Sequence, residues 1–227
     1  MTSNGQDAAP VIHPAARSNF SPFLRFPANL LSYVFHPIFI PLYVMWFIVF
    51  VHPSYFSGFS FGAKLQTIAI TFQNLVFYPL FSIVLLKAVG FISSVFLRTK
   101  KDRIIPYMAC GIFFFWGYTV FKSQAQYPPI VPSFILGMFL ASSGALLANI
   151  YYKISMHAIG VGGLAGIFFL IAQSNSMLMT WPMSLALLIA GVVCTARLIV
   201  SDHSQKDIYT GFFVGFAAQL IAAFVVM

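Results

Sequence analysis

Long, uninterrupted apolar runs limit the folds open to this chain more than any other feature. About 20 helical residues cross roughly 30 Å of hydrocarbon. Runs of that order recur at about 28–51, 64–92, 106–122, 130–152, 157–173, 178–200 and 207–227. Their hydrophobicity is continuous rather than alternating, which argues against a transmembrane β-barrel. Of the 227 residues, 60% are hydrophobic and 7% charged, whereas a soluble domain carries roughly a quarter charged residues. Disorder, coiled coil and a small disulfide scaffold are excluded by the same balance. The expected fold is all-α, a polytopic transmembrane helical bundle of about six to seven spans. Residues 28–227 form its single domain, and residues 1–27 are expected to be a mobile tail without a signal-peptide core.

Local punctuation refines this picture. Pro37, Pro41, Pro79 and Pro182 fall in or near spans, where they kink helices or mark half-helices. Gln73 and Asn74 interrupt the middle of the overlong second run, which is expected to be tilted or broken. Gly160, Gly162, Gly163 and Gly166 make the fifth run suited to close helix contact. Cys110 and Cys194 lie within apolar segments and read as small core residues. His36 and His52 each precede a proline and are expected to satisfy backbone carbonyls that the proline frees.

The formal net charge is +8, with four acidic residues, all Asp. In a membrane protein such a balance sets topology or meets phosphate headgroups, and nucleic acid is not implied. With seven spans, the connections near 93–105, 153–156 and 201–206 share one side, and they hold most of the charge. Outside the best motif positions, Arg17, Arg25, Lys87, Arg98, Lys100, Lys101 and Lys206 gather there, against Lys64 and Lys122 opposite. The positive-inside rule puts that side in the cytoplasm. The expected location is integral, in a bacterial inner (cytoplasmic) membrane.

The third charged connection carries the sharpest pattern: Arg197, His203 and Asp207, spaced Arg-x5-His-x3-Asp, with Ala196 before the arginine. Chance gives roughly 0.002 such spacings at this composition, so the signal is fairly specific. Here the chain resembles the type 2 phosphatidic acid phosphatase superfamily, whose third motif has this spacing and usually a Ser before the Arg. Its second motif, Pro-Ser-Gly-His, is met by Ile154-Ser155-Met156-His157, which keeps the Ser and the His. Its first, Lys-x6-Arg-Pro, is met loosely by Arg103-Ile104-Ile105-Pro106, with Lys100 or Lys101 in place of the lysine. The resemblance covers about 100–207. Where the family usually has a surface segment, residues 107–152 read as an additional membrane hairpin.

The resemblance implies a metal-independent, two-step hydrolysis of a lipid phosphomonoester or diphosphate, with no cofactor. His203 attacks phosphorus and forms a phosphohistidine, Asp207 orients it, and His157 protonates the leaving oxygen. Arg103, Arg197, Ser155 and a lysine from Lys100, Lys101 or Lys153 hold the phosphoryl group. The spacings suit these roles. His203 and Asp207, at i and i+4, meet on one helical turn, Ser155 can cap the following helix, and a guanidinium forks onto phosphate oxygens. The implied partners are a lipid phosphate substrate (polyprenyl diphosphate, phosphatidylglycerol phosphate, phosphatidate or lipid A type) and the surrounding membrane lipids. Three alternatives stay open: a lipid-phosphate binding or transport protein that does not hydrolyse, a scaffold with a degenerate site, and metal chelation by His157, His203 and Asp207.

Overall fold

The computed structural model describes residues 20–95, 97, 99–151, 153–174, 179–200 and 203–227. Of the residues read from sequence, Arg17, Arg98 and most of the expected tail lie outside that set. All the regular secondary structure of the described residues is helical. α1 (Pro22–Val34) and α2 (Ile40–Trp46) are short, and a π-helical turn, Phe47–Val51, extends α2. Next come α3 (Phe61–Phe72), a second π turn at Gln73–Phe77 and α4 (Tyr78–Ala88). The remaining helices are α5 (Lys100–Lys122), α6 (Ile130–Tyr151), α7 (Met156–Ser174), α8 (Thr180–Val200) and α9 (Gln205–Val226). The protein is an integral membrane protein, with six helical stretches among the described residues long and apolar enough to cross a bilayer.

The expected span at 28–51 is corrected to two pieces that meet at His36 and Pro37. Pro37 has no N–H for a helical ladder and disfavours helix at the residue before it, whereas Pro41 sits in the first turn of α2, where its missing N–H breaks no ladder bond. α1 also begins at Pro22, inside the stretch expected to be tail. The second run is one long rod, Phe61–Ala88, in which the π turn takes up Gln73 and Asn74. Asn74 bonds its own helix there, Nδ2 donating to the Ile70 carbonyl at 2.9 Å. Pro182 falls in the first turn of α8, where its missing N–H breaks no ladder bond.

α5 starts before the apolar run does, because Thr99 caps it. The Thr99 hydroxyl oxygen accepts from the Asp102 N–H at 3.1 Å and donates to the Asp102 carboxylate at 2.9 Å. That buried carboxylate also accepts from the Ser93 N–H at 2.8 Å and the Ser93 hydroxyl at 2.5 Å, so the loop before α5 folds back on its cap.

α7 is the central post. It buries Ala158, Val161, Leu164, Ala165, Ile167 and Ile171 and packs on α8 and, most closely, α9. A Cβ at Gly162 would run into the Phe212 carbonyl, and one at Gly215 into the Ile159 carbonyl. Small residues therefore let the two backbones touch, as the glycine-rich run leads one to expect. Ile112, Trp116, Trp181, Leu188, Phe213 and Phe224 point outward and are more than half exposed, a surface suited to lipid rather than water.

Candidate functional site

Three connections far apart in sequence meet at one end of the bundle, and direct bonds hold them together. The buried Arg103, on the first turn of α5, donates from Nε to the Leu97 carbonyl and from Nη1 to the Ile154 carbonyl, each at 2.9 Å. The Ser155 N–H donates to the Asp207 carbonyl at 3.3 Å. Lys100 Nζ donates to the Tyr151 carbonyl at 2.8 Å, and Asn149 Nδ2 to the Lys100 carbonyl at 2.9 Å. A buried carbonyl needs such a donor, and at Ile154 the Arg103 guanidinium from another connection supplies it.

Arg103, His157, Arg197 and His203 line one cavity of about 710 Å³, within the range of roughly 300–1,000 Å³ usual for small-ligand sites. Most of its remaining wall is apolar, including Leu80 and Val84 of α4, Phe114 of α5, and Phe134 and Met138 of α6. Among the described residues no carboxylate lines it. The chamber thus has a cationic head and an apolar shaft between helices.

The other residues expected at the site stand behind this wall. Ser155 is fully buried and caps α7, its hydroxyl oxygen accepting from the Ala158 N–H at 3.4 Å. Asp207 is the third residue of α9 and closes a capping box: its Oδ2 accepts from the Ser204 N–H at 2.8 Å and the Ser204 hydroxyl at 2.9 Å. His203 Nδ1 lies 3.9 Å from that oxygen, beyond hydrogen-bond reach, and has no hydrogen-bond partner among the described residues. Lys100 and Lys101 are exposed, whereas Lys153 is half-buried and within electrostatic range of His203.

His203 sits in a strongly biased environment. Burial, followed by the positive charges of Arg103, Arg197 and Lys153, pushes its pKa down from the ordinary 6.5 to about 4, with Asp207 opposing. The ring is therefore neutral at physiological pH, with a lone pair available. His157 Nε2 stands 3.0 Å from the Ser32 carbonyl. A carbonyl only accepts, so Nε2 carries the hydrogen and Nδ1 is the nitrogen left to exchange a proton.

Sequence reasoning missed Ser32, His36 and Tyr107, all of which line the cavity. Arg197 Nη1 donates to the Ser32 hydroxyl at 3.3 Å across a sequence separation of 165 residues. The Tyr107 hydroxyl lies beside the Arg103 guanidinium, one helical turn on. The prolines beside the histidines do shape local bonding, but with the opposite polarity to that expected. His36 Nδ1 accepts from the Ile38 N–H at 3.4 Å, and His52 Nδ1 from the Ser54 N–H at 3.3 Å. Among the described residues no group of three or more His, Cys or Asp is placed to hold a metal ion, so His157, His203 and Asp207 do not form a chelating set. No family model, curated protein or solved structure matches the chain.

Proposed function

We propose that the protein is a lipid phosphatase, similar in mechanism to the type 2 phosphatidic acid phosphatase superfamily. The observation that carries the reading is one cavity in which two arginines and three histidines stand at the head of an apolar shaft. Guanidinium groups suit the oxygens of a phosphate, and the shaft suits an acyl or prenyl tail. In the first step the neutral His203 attacks phosphorus, the P–N bond forms, and the bond from phosphorus to the lipid oxygen breaks. The leaving oxygen takes a proton that the lipid phosphate carries into the site and that His157 Nδ1 relays. In the second, water attacks phosphorus, gives its proton to His157, and the P–N bond breaks to release inorganic phosphate. Arg103 and Arg197 stabilise the charge on the equatorial oxygens throughout.

The test uses purified protein in detergent, a panel of lipid phosphates and a metal chelator. Expected are release of inorganic phosphate, inhibition by vanadate, and labelled phosphate trapped on His203. Undiminished release by His203→Ala would overturn the reading.

The second reading, lipid-phosphate binding or transport without hydrolysis, draws on the 3.9 Å gap between His203 and Asp207. It predicts binding without phosphate release, and function retained in His203→Gln. We also propose a bacterial inner membrane with the site on the cytosolic side, since Lys87, Lys100, Lys101 and Lys206 lie towards the site and Lys64 and Lys122 away from it. A reporter fused at the amino terminus that reads the opposite side would reject that orientation.

A further inference from the structure

The break between α1 and α2 stands inside the cavity, and its polar groups reach two of the residues on which the phosphatase reading depends. Ser32 makes both links: its hydroxyl oxygen accepts from Arg197 Nη1 at 3.3 Å, and its carbonyl accepts from His157 Nε2 at 3.0 Å. The same hydroxyl donates to the Ala28 carbonyl at 2.9 Å, which fixes its direction. One turn later, the His36 ring meets the His157 ring edge to face, with centroids 5.2 Å apart and planes at 84°. The break is firmly seated. Pro37 packs so tightly on Gly160 of α7 that a Cβ there would lie 3.2 Å from the proline Cβ. On the other side, the Tyr43 hydroxyl donates to the Val34 carbonyl at 2.7 Å.

The tautomer of His36 follows from its own backbone. Because the Ile38 N–H donates to Nδ1, that nitrogen carries no hydrogen, and the ring presents an Nε2–H donor. His36 also lines the cavity. Two arginines already provide positive charge there. A neutral N–H adds a directed bond to an oxygen without burying a third cation.

We propose that His36 is a third headgroup-binding imidazole, donating from Nε2 to an oxygen of a bound phosphate, and that Ser32 is the residue that positions Arg197 and His157 around it. The proposal rests on the cavity being a lipid-phosphate site. It does not require that the lipid be hydrolysed.

The experiment titrates the full-length protein in detergent with hexadecylphosphonate, which cannot be hydrolysed, and with hexadecanol, which has the tail alone. His36→Phe keeps an aromatic ring and removes the donor, so it should weaken phosphonate binding about tenfold and leave hexadecanol binding unchanged. His36→Gln returns an N–H donor and should recover most of the loss. Ser32→Ala should also weaken phosphonate binding several-fold, with rescue by Ser32→Thr. Wild-type phosphonate affinity in His36→Phe overturns the proposal. So does an equal loss of phosphonate and hexadecanol that His36→Gln fails to repair, the pattern of a packing residue. If the wild type binds phosphonate and His36→Phe does not, yet no lipid phosphate is ever cleaved, the hydrolase reading falls and this proposal stands. A wild type that does not bind phosphonate removes both.

Discussion

Replacing Gly215 by Ala sets two local preferences against each other. Alanine favours a helix over glycine by about 1 kcal/mol, so propensity alone predicts a stabilised α9. Packing predicts the reverse, because the new Cβ would strike the Ile159 carbonyl and come within 2.8 Å of the Gly163 nitrogen. Both obstacles are backbone atoms of α7, and neither can rotate away. Ordinary Cβ contacts begin at 3.4 Å. α9 must therefore retreat by roughly half an ångström from the nitrogen and further from the oxygen. Overpacking of this kind costs about 1–3 kcal/mol, and the upper end applies where backbone meets backbone. The net destabilisation is then about 2 kcal/mol, or an apparent melting temperature lower by roughly 4–8 °C for a chain of this size. The control is Gly191→Ala on α8, where an added Cβ meets nothing within 4 Å. It should melt at or slightly above wild type. Circular dichroism melts of both variants in one detergent decide the matter. If Gly215→Ala melts as high as Gly191→Ala, the backbone contact between α7 and α9 is not what holds the two site-bearing helices together.

Two further outcomes follow from the buried polar groups. Arg103→Met deprives the buried Leu97 and Ile154 carbonyls of their donors, which should cost about 3–5 kcal/mol. A melting temperature within a degree or so of wild type would contradict that. His203 titrates near 4 when folded and near 6.5 when unfolded, so between those values the unfolded chain binds more protons. Stability contributed by this group is complete above about pH 6.5 and is lost as pH falls towards 4, by up to about 3 kcal/mol. His203→Gln should flatten melting temperature against pH across that window, and an unchanged slope would refute the assignment.

Much of the helical framework is legible in the sequence, because an apolar run of span length has few other uses. The expected 130–152 and 178–200 differ little from the observed Ile130–Tyr151 and Thr180–Val200. Errors arise where polar residues continue a helix or prolines end one. Lys100, Lys101, Asp102 and Arg103 look like a loop by hydropathy, yet the Thr99 cap makes them the first turn of α5. The span expected at 28–51 reads as one apolar stretch, and the restriction imposed by Pro37 divides it. For the site, the family resemblance implied Arg103, His157, Arg197 and His203, and all four share the cavity. Ser32 and His36 were not legible, because their significance depends on pairing with Arg197 and His157, more than a hundred positions away. No local pattern encodes such a pairing. The geometry of Asp207 was half-visible: it comes within 3.9 Å of His203, but His203 precedes the Ser204 cap instead of sharing a helical turn, and spacing does not reveal that Ser204 already occupies the facing oxygen.

The π turn at Gln73–Phe77 has a mechanical effect on the wall of the chamber. A π turn accommodates one surplus residue, and each residue of an α-helix advances the rod by about 100°. Everything downstream is consequently rotated by about that angle relative to an unbroken helix. Pro79, Leu80, Ile83 and Val84 all lie downstream, and they are the α4 residues that face the cavity. The angular aim of that wall is thus set by an offset in the ladder immediately before it.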